Sequence, residues 1–149
     1  MYPLVLNAKC LLLERNFLGH IDYARLLVGH WLPSWRPGQS YEDNYSATKA
    51  TGGGVIFDLS HELDLAYWMF GEVQKLSAIK ASSVRLNLET EALAEITLVH
   101  ENAIISQIHL DYLTTNYRRT LEISGEKGII YWDYTSNTVI YQNNKGHSE

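Results

Sequence analysis

A helical pattern early in the chain, a nearly unbroken series of short strands after it, and a length of 149 residues predict one α+β domain. Its expected architecture is two main helices packed on one face of a large, mostly antiparallel open sheet. Residues 1–142 make up that domain and 143–149 a frayed tail.

The first helix is predicted over residues 4–16. Pro3 suits a first helical turn, and no further Pro or Gly interrupts the run. Leu4, Val5, Leu6, Ala8, Cys10, Leu11, Leu12 and Leu13 make it apolar nearly all round, the pattern of a helix buried on several sides. It is either a central helix of this domain or one that a partner domain partly covers. Gly19 closes it. Residues 20–28 read as a strand, and the run Leu26, Leu27, Val28 predicts burial on both faces. Residues 29–51 form a long connection carrying Trp31, Pro33, Trp35, Pro37, Tyr41 and Tyr45. A connection of that length is more often functional than idle.

The second helix is predicted over 55–70, with Ile56, Leu59, Leu63, Ala66 and Phe70 as its core stripe. Asp58, His61, Leu65 and Trp68 lie on a different face, and Gly71 ends it. Strands follow over 74–84, 92–100, 103–113, 117–124, 128–134 and 138–142. Glu101-Asn102 and residues 125–127 form turns. Such close spacing calls for antiparallel neighbours. In strand 103–113, Ile104, Ser106, Ile108, Leu110 and Tyr112 share one face. Ala103, Ile105, Gln107, His109 and Asp111 share the other.

Composition narrows the function. Hydrophobic residues make up 46% and charged residues 19%, a globular balance. A net charge of −5 without a basic cluster argues against nucleic acid as a partner. The single Cys10 forms no internal disulfide and completes no zinc pattern. No apolar run reaches the ~20 residues of a membrane span, and no secretory leader is visible, so a cytoplasmic location is expected.

The chemistry concentrates in residues 52–64, GGGVIFDLSHELD. Glycines admit close approach of a ligand or another backbone. Asp58 and His61, three apart on a helix, share a face, and that pairing suits a site that moves protons. Glu62 and Asp64 have simpler roles as solvated or capping carboxylates. A metal site at His61 is weakly supported, because Leu65 stands where a zincin helix carries its second His. The triple glycine is not a dinucleotide fingerprint, which spaces its glycines directly after a strand. His100 and His109 are expected on the sheet surface. Trp31, Trp35, Tyr41 and Tyr45 fit a sugar-stacking loop or that loop's own small core equally well.

The run GGGVIFDLSHELD, the helix end WMFG, the early segment LLLERNFLGHI at 11–21 and the GEKG turn before Trp132 resemble the C-terminal domain of the Gfo/Idh/MocA family of NAD(P)-dependent oxidoreductases. The resemblance implies a substrate-binding domain that works with a separate N-terminal Rossmann domain, through which NAD or NADP is bound. No cofactor is expected on this chain alone. His61 then corresponds to the catalytic acid/base, Asp58 to the residue that assists it, and Asp64 to the following acidic position. Trp31, Trp35, Tyr41 and Asp64 are the expected substrate-binding residues, and the substrate is a sugar, polyol or sugar derivative. Many members place four steps between the Asp and the His, where this chain has three. The Glu-Lys-Pro lysine of the family lies with the absent nucleotide domain. An excised fragment and a split or truncated gene both account for that, and the isolated chain is expected to be inactive. NAD-dependent glycoside cleavage is a variant within the family, and a non-catalytic ligand-binding or assembly module is the alternative outside catalysis. The resemblance further implies a homo-oligomer through the open sheet face, which carries Glu95, Thr97, Gln107, His109, Arg118, Thr120 and Glu122.

Overall fold

The computed structural model describes residues 16–144. The helix expected over 4–16 therefore lies outside the described residues, except for Asn16. The described chain forms one seven-stranded sheet. Its strands are β1 (Ile21–Gly29), β2 (Val73–Ala81), β3 (Leu93–His100), β4 (Ile105–Asp111), β5 (Arg118–Gly125), β6 (Gly128–Asp133) and β7 (Thr138–Asn143). Two helices, α1 (Val55–Asp58) and α2 (His61–Phe70), lie between β1 and β2.

The strand order is β2-β3-β4-β1-β5-β6-β7. Every neighbouring pair is antiparallel except β1 with β4, which run parallel. The close-spaced strands thus pair as their spacing requires. β1, far from them in sequence, enters the centre of the sheet. A parallel neighbour needs a long crossover, and the loop, both helices, β2 and β3 supply it.

One sheet face is the core. Ala24, Leu26 and Val28 of β1 lie beside Ile108 and Leu110 of β4 and Leu121 and Ile123 of β5, all buried. Val55, Leu59, Ala66, Met69 and Phe70 cover them from the helices. The alternation expected for β4 holds, with Ser106, Ile108 and Leu110 buried and Gln107 exposed. β1 is less symmetric than its apolar run implied: Leu27 turns to the other face and is only half-buried.

The single helix expected over 55–70 is broken. Leu59 leaves helical geometry at φ −109°, ψ 20°, and a new helix starts after Ser60. Glu62, expected to be solvated, is 0% exposed in the core. His61 sits at its edge. Gly71, with φ 84°, ends α2 as expected and donates its N–H to the Tyr67 carbonyl.

Three more expectations change. His100 is buried rather than on the surface. Its Nδ1–H donates to the Gly71 carbonyl (2.9 Å) and its Nε2 shares a hydrogen bond with the Ser106 hydroxyl (2.8 Å), which ties the end of α2 to the sheet. The long connection contains two 3₁₀ turns, Leu32–Ser34 and Tyr45–Ala47, rather than irregular chain alone. Asn143, expected in the tail, ends β7, and Asn144 donates to the Glu126 carbonyl, while residues 145–149 lie outside the description.

Candidate active site

Gly53 and Gly54 pack the loop against its neighbours. A Cβ on Gly53 would come within 2.5 Å of the Ser46 carbonyl oxygen. Gly54 holds φ 125°, a conformation side chains avoid, and caps α1. This packing sets α1 over the sheet, with Val55 N–H donating to the Glu91 carbonyl.

Asp58, the last residue of α1, turns toward the sheet. Its Oδ2 accepts the Tyr112 hydroxyl at 2.7 Å. Tyr112 is fully buried, and burial followed by the neighbouring Asp58 pushes its phenol well above the usual range. His61, the first residue of α2, stays partly accessible, with 44% of its side chain exposed. Burial, and then the positive charge of Arg119, lower its pKa.

These residues meet at a cavity of about 360 Å³ lined by Val28, His30, Trp35, Asp58, Leu59, His61, Tyr117 and Arg119. Its walls are aromatic. The His30 and Trp35 rings stack with centroids 5.4 Å apart, and Tyr117 sets an edge against His30 at 5.0 Å. Trp35 meets Tyr112 edge-on at 5.4 Å. Burial lowers the His30 pKa, which favours a neutral ring. A larger depression of about 640 Å³ lies under residues 36–45. It is lined by Asp43 as its one carboxylate and by no imidazole, whereas the smaller cavity brings Asp58 together with His30 and His61.

Behind the cavity, Arg119 of β5 reaches Glu62, with Nε 2.5 Å from Oε1. Both side chains are almost wholly buried, 8% and 1% exposed. Burial pushes the Glu62 carboxyl up to about 7 against the opposing pull of Arg119. Trp132 and Tyr134 lie under the guanidinium at 5.6 and 6.0 Å.

Of the expected site residues, the structure gathers Asp58, His61 and Trp35. Trp31 lies elsewhere, with the Arg85 guanidinium 4.7 Å above its ring. Tyr41 packs on the core and binds the Asn87 N–H through its hydroxyl. Asp64 is exposed in the first turn of α2, outside the cavity lining. His30, Tyr117 and Arg119 carried no signal in sequence, because each reaches the site only through sheet pairing or the loop's return. Among the described residues, no cluster of three or more His, Cys, Asp or Glu is arranged for a metal ion. No helix there is long and apolar enough to cross a membrane.

The fold recurs in solved structures. An inositol dehydrogenase homolog from Azotobacter vinelandii, complexed with NAD⁺, superposes with a TM-score of 0.82 at 17% identity, over 98% of this chain and 40% of the other. The same homolog complexed with NADH and myo-inositol gives 0.75 at 15% identity, over 98% and 38%. The WlbA dehydrogenase from Bordetella pertussis, in complex with NADH and UDP-GlcNAcA, gives 0.77 at 23% identity, over 95% and 43%. The chain spans about two fifths of the length of these structures. No curated protein matches the chain in sequence. The GFO/IDH/MocA C-terminal domain matches residues 11–131, and the chain belongs to that family.

Proposed function

We propose that this chain is the substrate-binding and catalytic-histidine domain of an NAD(P)-dependent oxidoreductase acting on a hydroxyl of a sugar, polyol or sugar derivative. The observation that carries the reading is the convergence of His61, Asp58 and an aromatic wall on one small cavity. Stacked rings accept the apolar face of a sugar ring, and the polar groups beside them handle hydroxyls. Neighbours of the same fold are complexed with NADH together with myo-inositol or UDP-GlcNAcA.

His61 takes the hydroxyl proton as general base. Burial and Arg119 keep its ring neutral, the form that accepts a proton. Asp58, braced by Tyr112, is a hydrogen-bond acceptor for a neighbouring hydroxyl. In this reading the nicotinamide that accepts the hydride is held by a separate domain, while Gly53 packs on the Tyr45 and Ser46 carbonyls and Gly54 against Glu91.

His61→Ala is expected to lower turnover by roughly 10²–10⁴ in the enzyme that combines this chain with a nucleotide domain. Near-normal turnover would remove His61 from the chemistry. The chain alone is expected to show no dehydrogenase activity and no tight NAD(P) binding in calorimetric titration.

Association through the open sheet face belongs to the same reading. The register sets Glu95 beside His109, Thr97 beside Gln107, and Arg25 between Gln107 and Glu122, with Arg118 and Thr120 on the same face. A two-fold contact sets such a patch against its own copy. Light scattering on the wild type and on a Thr97→Arg, Gln107→Glu variant tests it. A monomeric wild type, or a variant that stays associated, counts against it.

A further inference from the structure

Arg36 stands at the head of a tight turn in the long loop. Its carbonyl accepts the Gln39 N–H at 3.2 Å, Pro37 is the first central residue, and Gly38 takes φ 85° at the second. The turn fixes the backbone from which the side chain leaves. The guanidinium lies over the Tyr45 ring, 5.1 Å from its centroid. Such stacking holds the guanidinium plane and leaves its edge for hydrogen bonds. Nη1 is buried, yet it meets no hydrogen-bond acceptor among the described residues. No described carboxylate forms an ion pair with the group either. A buried donor left open is costly, and more so when it carries charge.

This guanidinium lines the depression of about 640 Å³, with Gln39, Ser40, Asp43 and Asn44 around it. Three of these are neutral hydrogen-bonding side chains, and Asp43 is the single opposing charge. A narrow crevice walled by Trp35, Arg36 and Asn44 adjoins the depression. Trp35 is also a wall of the cavity that holds His61. The tryptophan therefore borders the catalytic cavity and the approach to Arg36.

We propose that Arg36 anchors an anionic substituent of the substrate, so that the sugar taken by the cavity is an acidic one, bearing a carboxylate or a phosphate. The inference rests on the reading of the cavity as a sugar site. The sugar ring lies against Trp35, and its anionic group passes the edge of the indole to Arg36. There two N–H donors of the guanidinium meet two oxygens, a geometry that carboxylate and phosphate share. A neutral polyol leaves the buried Nη1 open, and a site built to donate a hydrogen bond discriminates against a ligand that lacks the acceptor.

The test is a magnetic-resonance titration of the 149-residue chain with isotope-labelled arginine and tryptophan side-chain nitrogens. The Arg36 and Trp35 signals are identified by their loss in Arg36→Gln and Trp35→Phe. The probes are glucuronate, glucosyl phosphate, methyl glucoside and inorganic phosphate. At least one of the two anionic sugars should move the Arg36 and Trp35 signals together along a single saturation curve, and which one does so tells carboxylate from phosphate. Methyl glucoside and inorganic phosphate should each bind more weakly by roughly tenfold or more, the usual worth of a charge-assisted hydrogen bond. Arg36→Gln should lower the affinity for the anionic sugar to that for methyl glucoside. Arg36→Lys, which keeps the charge and loses the paired donors, should fall between. Equal affinity for anionic and neutral sugars overturns the proposal. Inorganic phosphate that binds as tightly as the anionic sugar overturns it too, because the anion site is then unconnected with the sugar. If Arg36→Gln fails to give a dispersed amide spectrum, the wild-type titrations decide by the same criteria. An anionic sugar that moves Trp35 and leaves Arg36 unmoved removes the subsite and leaves the sugar cavity standing, whereas silence at Trp35 toward every sugar overturns both.

Discussion

Each face of the sheet carries a histidine among charged neighbours, and the two respond in opposite ways. On the helix side, His61 lies beside Glu62, which pairs with Arg119, and burial with Arg119 lowers the His61 pKa. On the open face, His109 bridges two carboxylates, with Nδ1 2.5 Å from Glu95 and Nε2 2.9 Å from Asp111. The hydrogen bond to Asp111 leads in raising its pKa to about 9, with Glu95 adding to it and burial opposing. Burial by itself would raise the Asp111 carboxyl, but hydrogen bonds from His109, Thr114 and Leu113 outweigh it and hold it below the usual range. The contrast lies in how partners act on burial: at His61 burial lowers the pKa and Arg119 adds to it, whereas at His109 the two carboxylates outweigh burial and reverse the sign.

The largest way to break this comparison is to remove half of the buried pair. Glu62→Ala or Arg119→Ala alone leaves an unpaired buried charge and is expected to cost about 3–5 kcal/mol. A Glu62→Met, Arg119→Leu double variant is expected to lose clearly less than the two single losses added together. Denaturant midpoints at constant slope provide the measurement, and fully additive losses would contradict a coupled pair.

On the open face, His109→Asn is expected to cost on the order of 1–3 kcal/mol at pH 6, the usual range for charge-assisted hydrogen bonds. The sign follows from the raised pKa. The contribution is complete below the unfolded value of about 6.5 and is lost as pH rises through about 9. The wild type and His109→Asn should therefore converge in stability at alkaline pH. The Glu62 carboxyl is also raised, so the fold is favoured while its proton is on. That preference fades between its unfolded value of about 4.3 and about 7. Glu62→Gln should flatten the lower window of the stability profile, and His109→Asn the upper one.

Tyr112→Phe removes the hydroxyl that braces Asp58 and is expected to cost about 0.5–1.5 kcal/mol, with the larger consequence for substrate binding than for the fold. Equal affinity of the variant and wild type for the polyol would set Asp58 outside the binding site. The smallest effect separates two tryptophans. Trp35 lines the cavity and Trp31 packs under Arg85. A sugar-like ligand should change the fluorescence of Trp31→Phe and leave that of Trp35→Phe nearly unchanged. The opposite pattern would move the site toward the loop.

Much of the architecture was legible because it is local. Alternation along 103–113 assigned Ile108 and Leu110 to the core and Gln107 to the open face, as observed. Turn residues located the hairpins, and Gly71 marked the end of α2. Asp58 and His61, expected together from their spacing, line one cavity. Glu62 is not legible by residue type, since a carboxylate there reads as solvated or capping; it lies one turn before Ala66 and two before Phe70 on α2 and shares their buried face.

The sequence by itself determined the α+β class, the strands and their two faces. Each depends on residue types a few positions apart, and periods of two and 3.6 residues are local properties of the backbone. Only the tertiary structure decided that β1 enters the sheet between β4 and β5, that Arg119 rises behind α2, and that Glu62 rather than Asp58 meets the His61 ring. Those contacts join residues distant in the chain. A buried charge finds its partner by the packing of the whole core, and no local pattern encodes that meeting.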